Sequence, residues 1–249
     1  MNFTQSTHHH PTPLTHTTSP MYTGTSVIGI KFKNGIIIAG DTRVNYGSLC
    51  KIMNVEDRIQ SITPRTLVGY SGEYSDCQET SRILHELALN DSLEGSGTPC
   101  LGPVELANYL SSIHYYKRNK MDPYLNSVVC GGVNWDGKIV LLNIDPYGTL
   151  LEGNYFTTSI SHYFCNAIIA PEYPKDVEEM TKEKAIQLIE KCFEILLYRD
   201  CNAGNVVKYS IIEKQNNEIK YNEGKITIKG KWSYDGFKNY GNEQFYLNA

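Results

Sequence analysis

Cysteine and histidine are the residue types in this chain whose chemistry could mark a metal or redox site. Seven cysteines occur, an odd number, and no two of them form a Cys-x-x-Cys pair. They are Cys50, Cys77, Cys100, Cys130, Cys165, Cys192 and Cys201. Zinc and dithiol redox sites need closely spaced thiols. The wide spacing instead indicates buried, unpaired thiols in a reducing compartment, and we predict neither a metal nor another cofactor.

The histidines give no stronger signal for catalysis or metal binding. His85, His114 and His162 each stand alone in a helix-like segment beside aromatic or aliphatic neighbours. Isolated histidines of this kind are usually core or solvated side chains, since a metal site needs several ligands at suitable spacing. The run His8 to His10 lies in a tail rich in Thr, Pro and Ser, where three histidines are too few to define a metal tract.

Length and composition favour one globular domain without a polyanionic partner. The chain has 249 residues, 41% hydrophobic and 20% charged, with a formal net charge of -4. Such a charge offers no broad positive field, so nucleic acid is not an expected partner. The longest apolar runs, such as residues 36–39, are far below the ~20 residues that cross a bilayer, so no membrane partner is expected. Residues 1–20 are expected to be a flexible tail, and they lack the apolar centre of a secretory signal.

The pattern of residues predicts grouped strands alternating with grouped helices. Residues 25–33 and 36–41 form a predicted hairpin, with Asn34 and Gly35 as a type I′ turn. A first helix is predicted over residues 75–90, with Ser75 and Gln78 as a capping box, and a second begins at Pro103. Further strands are predicted over residues 58–63, 66–71, 125–133, 138–145, 206–213 and 225–229, and further helices over 159–169 and 181–198. This order indicates an α+β fold in which helices cover both outer faces of two stacked sheets.

Four segments in this order resemble the proteasome β-subunit family. They are residues 24–32 (GTSVIGIKF), residues 38–43 (IAGDTR), residues 71–76 (SGEYSD) and residues 198–200 (YRD). The similarity covers about residues 21–230, and four motifs in order are far more specific than one. The resemblance implies the four-layer αββα sandwich of N-terminal nucleophile hydrolases.

The resemblance also implies roles for particular residues. Active members attack a peptide carbonyl with an N-terminal threonine, which self-cleavage after a glycine exposes. Thr25 matches this nucleophile after Gly24, Asp41 matches the acid at the end of the second strand, and Asp200 matches a later aspartate. By the same comparison, Arg43 matches a basic residue and Gly72 the glycine that supplies an oxyanion N–H.

Three positions depart from the active members of the family. The lysine position falls at Asp57 or Arg58, with Arg58 favoured, and arginine stays protonated. Ala203 stands where active members have a serine that hydrogen-bonds the terminal amine. Ile160 stands where they have a glycine with free backbone dihedral angles. Thr25, Asp41, Arg58, Asp200 and Ala203 together therefore resemble a vestigial site.

We accordingly expect a non-catalytic β subunit of a eukaryotic 20S proteasome, in the cytoplasm and nucleus. Its expected partners are the other α and β subunits of a 28-subunit particle, which degrades unfolded polypeptides in ATP- and ubiquitin-dependent proteolysis. Residues 1–20 are expected to be a trimmed pro-segment, residues 21–230 the β-type domain, and residues 231–249 an arm that reaches an opposite-ring β subunit. The aromatic residues of that arm are Trp232, Tyr234, Phe237, Tyr240, Phe245 and Tyr246.

Two alternatives stay open on the sequence. Gly24-Thr25, Asp41 and Asp200 also suit an active threonine endopeptidase that uses Thr25 after self-cleavage. A proteasome-like scaffold or assembly module that acts outside the ring is the other alternative.

Overall fold

A computed structural model describes residues 19–95, 97, 100–215 and 218–230. The predicted arm over residues 231–249 and the predicted pro-segment up to residue 18 lie outside the described residues. The first strands are β1 (Tyr22–Gly24), β2 (Val27–Phe32), β3 (Gly35–Asp41), β4 (Val44–Tyr46), β5 (Leu49–Ile52), β6 (Ile59–Thr63) and β7 (Thr66–Glu73). Next come α1 (Tyr74–Glu94), α2 (Pro103–Asn119), β8 (Asn126–Val133), β9 (Ile139–Ile144), β10 (Leu150–Glu152) and β11 (Tyr155–Thr157). The described chain continues with α3 (Ser161–Phe164), α4 (Asn166–Glu172), a 3-10 turn (Val177–Glu179), α5 (Lys182–Arg199), β12 (Val206–Gln215) and β13 (Glu218–Thr227).

The strands of the described residues form two antiparallel sheets. One has the order β10-β9-β8-β7-β1-β4-β5, with β6 also paired to β7. The other has the order β11-β2-β3-β12-β13. In the second sheet, β2 and β3 form the predicted hairpin, with Phe32 opposite Gly35.

Alternating side chains on β3 explain the layered architecture. Ile36 and Ile38 face the other sheet, in a core with Leu67 and Val129. Ile37 and Ala39 point the opposite way, into a core that the helices α3, α4 and α5 cover. Because successive strand residues face opposite sides, one strand serves two cores. A third core packs α1 and α2 against the other sheet, which confirms the four-layer αββα sandwich.

The hairpin turn differs from its prediction. Its two turn residues are Lys33 and Asn34, while Gly35 is already the first residue of β3. Neither Asn34 nor Gly35 has a positive φ, so the predicted type I′ turn is wrong. Glycine is needed at position 35 for a different reason, because a Cβ there would overlap the backbone carbonyl oxygen of Ile212 on β12.

The helices follow the predicted periodicity, with one correction at a cap. Pro103 is the first residue of α2, as predicted. The expected capping box of Ser75 and Gln78 is wrong, because α1 begins at Tyr74 and has no side-chain cap. The Ser75 hydroxyl instead donates to Glu73 Oε1 at 3.1 Å. None of the helices in the described part of the chain combines the length and apolar character that crossing a membrane requires.

The thiols are less uniformly buried than predicted. Cys77, Cys130, Cys165 and Cys192 are buried, and burial raises the pKa of the Cys77 and Cys130 thiols to about 12. The prediction is wrong for the exposed cysteines, which are Cys50, Cys100 and Cys201.

Candidate functional site

The hydroxyl of Thr25 lies against the carboxylate of Asp41. Thr25 follows β1 directly, and Asp41 ends β3. Antiparallel pairing sets Val27 opposite Gly40, so the start of β2 and the end of β3 meet. Thr25 Oγ1 donates to Asp41 Oδ1 at 2.5 Å, and both residues are buried. The strand register therefore creates the pair that the sequence comparison predicts.

Arg58 completes a buried cluster with these two residues. It lies in the turn before β6, where its carbonyl oxygen accepts the backbone N–H of Tyr70 at 2.9 Å. Its Nη1 donates to Asp41 Oδ1 at 2.5 Å and to the Asp41 carbonyl at 2.9 Å. Its Nη2 donates to the Thr25 carbonyl at 2.5 Å, and Nε donates to the Tyr70 carbonyl at 3.2 Å. The side chain is 1% exposed, so the guanidinium is a core group with four hydrogen bonds.

This burial is stable only because the charge is matched. Removing a guanidinium and a carboxylate from water is costly, and their attraction offsets that cost only in good geometry with further hydrogen bonds. The Asp41 side chain is fully buried beside Arg58, and its second oxygen accepts the backbone N–H of Gly204 at 2.6 Å. Every charged group in the cluster thus has partners.

Gly24 is the residue that lets Arg58 approach the chain at Thr25. A Cβ at this position would overlap Nε and Cζ of Arg58. Glycine is therefore required here by packing against the guanidinium.

The structure distinguishes the two residues that could occupy the lysine position. Asp57 points outward and accepts a hydrogen bond from the Tyr74 hydroxyl at 2.6 Å. Arg58 contacts both Thr25 and Asp41. Of the two residues, Arg58 is therefore the one whose side chain lies in the Thr25 and Asp41 cluster.

Asp200 and Ala203 lie in a loop beside the cluster and do not form part of its side-chain contacts. Asp200 follows α5, and its Oδ1 accepts the backbone N–H of Asn202 at 2.9 Å. Burial raises the pKa of the Asp200 carboxyl. The carbonyl of Ala203 accepts a long hydrogen bond from Arg43 Nη1 at 3.5 Å. The loop reaches the cluster through Gly204, so the structure joins Thr25, Asp41 and Arg58 directly and the other two residues indirectly.

The segment around Ile160 corrects one expectation. Ile160 has φ -65° and ψ -24°, a conformation that any L-residue adopts. The backbone at this position therefore does not need the wider range of dihedral angles that glycine allows. The positive φ of 55° falls on Ser159. Ser161 holds the segment to the site, because its N–H donates to Ser26 Oγ at 3.0 Å. Ile160 therefore does not argue against activity.

Gly72 lies beside Gly24 at the edge of the same site. The two glycines are opposite each other in the pairing of β1 with β7. Gly72 has φ 100°, and a Cβ would overlap the Leu125 carbonyl oxygen, so only glycine suits this position. The next residue, Glu73, contacts the N-terminal segment, a role that the sequence does not reveal. The one indication of this contact in the sequence is that an acidic residue directly follows Gly72.

Acid–base chemistry at this cluster would depend on the nitrogen of Thr25. In the unprocessed chain that nitrogen is part of the peptide bond to Gly24, and it becomes a basic amine only if this bond is cleaved. The Arg58 guanidinium stays protonated and cannot accept the hydroxyl proton. Within the described ranges, no three His, Cys, Asp or Glu side chains converge as ligands for one metal ion.

Two antiparallel sheets between helix layers, with a threonine hydroxyl before β2 that lies beside the aspartate at the end of β3, define the class of N-terminal nucleophile hydrolase folds. The family described as "Proteasome subunit" matches residues 21–212. The chain therefore belongs to the proteasome subunit family, and within it to the β subunits.

Relatives across eukaryotes support this assignment. The chain is 36% identical over 220 residues to "Proteasome subunit beta type-4" of Arabidopsis thaliana, covering 88% of this chain and 86% of that protein. It is 32% identical to the protein of the same name from Xenopus laevis, covering 88% of each. It is 31% identical over 237 residues to "Probable proteasome subunit beta type-7" of Schizosaccharomyces pombe, covering 92% of this chain and 86% of that protein. Membership of this family implies assembly with other proteasome subunits.

Proposed function

We propose that this chain is a non-catalytic β subunit of the eukaryotic 20S proteasome core particle, in the place of the relatives named beta type-4. Its role is to support assembly of the β rings in a 28-subunit particle that degrades unfolded polypeptides in ATP- and ubiquitin-dependent proteolysis, in the cytoplasm and nucleus. The observation that carries the proposal is the buried Arg58 guanidinium between Asp41 and the Thr25 carbonyl.

Arginine at this position supports a structural role more than a catalytic one. A lysine ammonium can exchange a proton with a neighbouring hydroxyl when burial shifts its pKa, whereas a guanidinium does not lose its proton in proteins. In this chain the guanidinium makes four hydrogen bonds, three of them to backbone carbonyls. Its geometry is that of a group that holds the fold together.

The loop after α5 supports the same proposal. Ala203 has no hydroxyl with which to orient an amine at Thr25. The carboxylate of Asp200 is engaged by the backbone of its own loop, at Asn202. Loss of an orienting or proton-transferring group typically lowers a rate by about 100-fold to 10,000-fold.

One observation favours an active threonine endopeptidase as the second candidate. Thr25 Oγ1 keeps its 2.5 Å hydrogen bond to Asp41, directly after the glycine that self-cleavage would require. The two candidates differ in the chemical state of Thr25. The active enzyme needs a free α-amino group at Thr25, and the structural subunit does not.

Analysis of the particle that contains this chain tests the proposal. We expect the mature chain to begin upstream of Thr25 and to remain unlabelled by a threonine-directed electrophile, while active β subunits of the same particle are labelled. A chain that begins at Thr25 and carries the adduct would establish the endopeptidase instead. Native mass spectrometry separates the scaffold alternative, since a protein that acts outside the ring would be absent from the 28-subunit particle.

A further inference from the structure

The short strand β1 occupies a slot inside the larger sheet. It pairs with β7 on one side, where Thr23 lies opposite Glu73, and with β4 on the other, where Thr23 lies opposite Asn45. Residues 22–24 thus take the place of an extended peptide between two strands. A strand of three residues makes few ladder bonds, so its residence in the slot depends on additional contacts.

Glu73 provides such contacts at the beginning of β1. Its Oε2 accepts the backbone N–H of Tyr22 at 3.0 Å and also the backbone N–H of Met21. Its Oε1 accepts the Ser75 hydroxyl at 3.1 Å. One carboxylate oxygen therefore binds two successive N–H groups of the N-terminal segment. Hydrogen bonds to an ionised acceptor are roughly twice as strong as bonds between neutral groups.

The charge of Glu73 makes this contact reciprocal. The residue is only 5% exposed, and none of the ion pairs in the described part of the chain involves it. A buried carboxylate without a cation needs hydrogen-bond donors. If residues 21 and 22 left the slot, the carboxylate would keep the Ser75 hydroxyl and lose two donors. The segment stabilises Glu73, and Glu73 stabilises the segment.

An aromatic contact adds to this arrangement on the opposite side of β1. The rings of Tyr22 and Tyr46 lie with their centroids 5.4 Å apart. Both rings are partly exposed, so the contact contributes less than a buried aromatic pair would.

From these contacts, we propose that Glu73 is a positioning residue that fastens residues 21–24 between β7 and β4, so that the chain's own segment occupies the slot beside Thr25. The inference rests on the proposed non-catalytic function, because an active enzyme would release this segment. It adds the residue that keeps the segment in place.

Hydrogen exchange of the assembled particle, read by mass spectrometry, tests the role of Glu73. In the Glu73→Gln variant we expect the backbone amides of residues 22–24 to exchange roughly ten- to hundredfold faster than in the wild type, as loss of a bond to a charged acceptor allows. The matched control is Glu105→Gln, because Glu105 accepts the N–H of Gly102 at 3.0 Å at the start of another helix, α2. That control should leave exchange in residues 22–24 unchanged. Unchanged exchange in the Glu73→Gln variant would overturn the proposal.

A second variant keeps the test decisive if Glu73→Gln fails to fold. Met21→Pro removes one of the two donors without touching Glu73, since proline has no N–H. We expect faster exchange over residues 22–24 with normal protection in α1, and unchanged protection of residues 22–24 would again overturn the role of Glu73.

The two proposals fail in distinguishable ways. Labelling of Thr25 by the electrophile would refute the non-catalytic function. An unlabelled Thr25 with unchanged exchange in both variants would refute only the positioning role of Glu73.

Discussion

The Arg58 cluster and the loop over residues 200–204 both contain positions that we expect to differ from active members of the family, yet the two regions are held differently. Arg58 is bonded to Asp41 and to three backbone carbonyls in the core. The loop is held by Asp200 within it and by hydrogen bonds from the Arg43 and Asn45 side chains to its carbonyls, and it touches the cluster through the single N–H of Gly204. We therefore expect the stability of the fold to depend more on the buried Arg58 side chain than on the side chains of the loop.

The largest effect is expected from Arg58→Ala. The change would leave the Asp41 carboxylate buried without its cation, and breaking a buried pair from one side costs about 3–5 kcal/mol. Urea denaturation followed by circular dichroism measures the free energy of unfolding. Arg82→Ala is the matched control, because Arg82 makes two ion pairs with Glu79 and Glu86 on the exposed face of α1. Equal losses in the two variants would contradict the contrast between core and surface.

The Arg58→Lys variant, measured in the same way, separates the contribution of the charge from that of the hydrogen bonds. Lysine keeps the positive charge but cannot reproduce the planar set of four hydrogen bonds. We therefore expect a loss between those of the wild type and Arg58→Ala. An Arg58→Lys variant as stable as the wild type would show that charge alone accounts for the role of Arg58.

A moderate effect is expected from Gly204→Ala, which disturbs the contact between the two regions. A Cβ at this position would lie 3.1 Å from Cβ of Arg43 and 3.2 Å from Asp41 Oδ2. We expect a loss of about 1–2 kcal/mol, because the shift weakens a hydrogen bond to a buried carboxylate. The measurement is again the free energy of unfolding from urea denaturation. A loss as large as that of Arg58→Ala would mean that the loop is as important to the core as the guanidinium.

The smallest effect is expected from Asp200→Asn, and it should depend on pH. Burial raises the pKa of the Asp200 carboxyl, so ionisation of this group opposes folding as the pH rises from its unfolded-state pKa through its folded-state pKa. Asparagine does not ionise, and its oxygen can still accept the Asn202 N–H. At pH 7 the variant should be as stable as the wild type or slightly more so, by less than about 1 kcal/mol. That difference should vanish below about pH 4, and a variant that is less stable at pH 7 would contradict the role given to burial.

Much of the fold is predictable from the sequence because its strong patterns are local. The apolar run on β3 and the helical spacing of Ile189, Phe193 and Leu196 on α5 both report burial directly. Pro103 marks the start of α2 by its own geometry. These features depend on residues near one another in the chain, so sequence alone identifies them.

The elements that the sequence misses depend on distant partners. Strand β13 overlaps the predicted strand over residues 225–229 only at its end, and its missed part, residues 218–224, is mostly polar and exposed. The strand extends that far because all ten of its residues pair with β12. The short strands β1, β4 and β5 likewise carry little alternation of their own. Their pairing is not encoded in local periodicity.

The candidate site likewise contains features that the sequence predicts and contacts that depend on distant partners. The resemblance of motifs is enough to predict Thr25, Asp41 and Arg58 as site residues, because each lies within or near a short recognisable segment. The motifs do not show that Arg58 bonds to the Tyr70 carbonyl, or that Glu73 accepts the N–H of Tyr22. These contacts join residues far apart in the chain, and only the folded structure brings them together.

Gly24 has a consequence for how such chains are recognised in genomes. A Gly-Thr pair at the start of the first long strand is easily scored as a signal for self-processing. In this protein the glycine is also needed because a larger residue would collide with Arg58, so packing alone is a sufficient reason for a glycine at this position. A Gly-Thr signature is therefore not by itself evidence of self-cleavage, and assignment of peptidase activity should depend on the residue that faces the glycine.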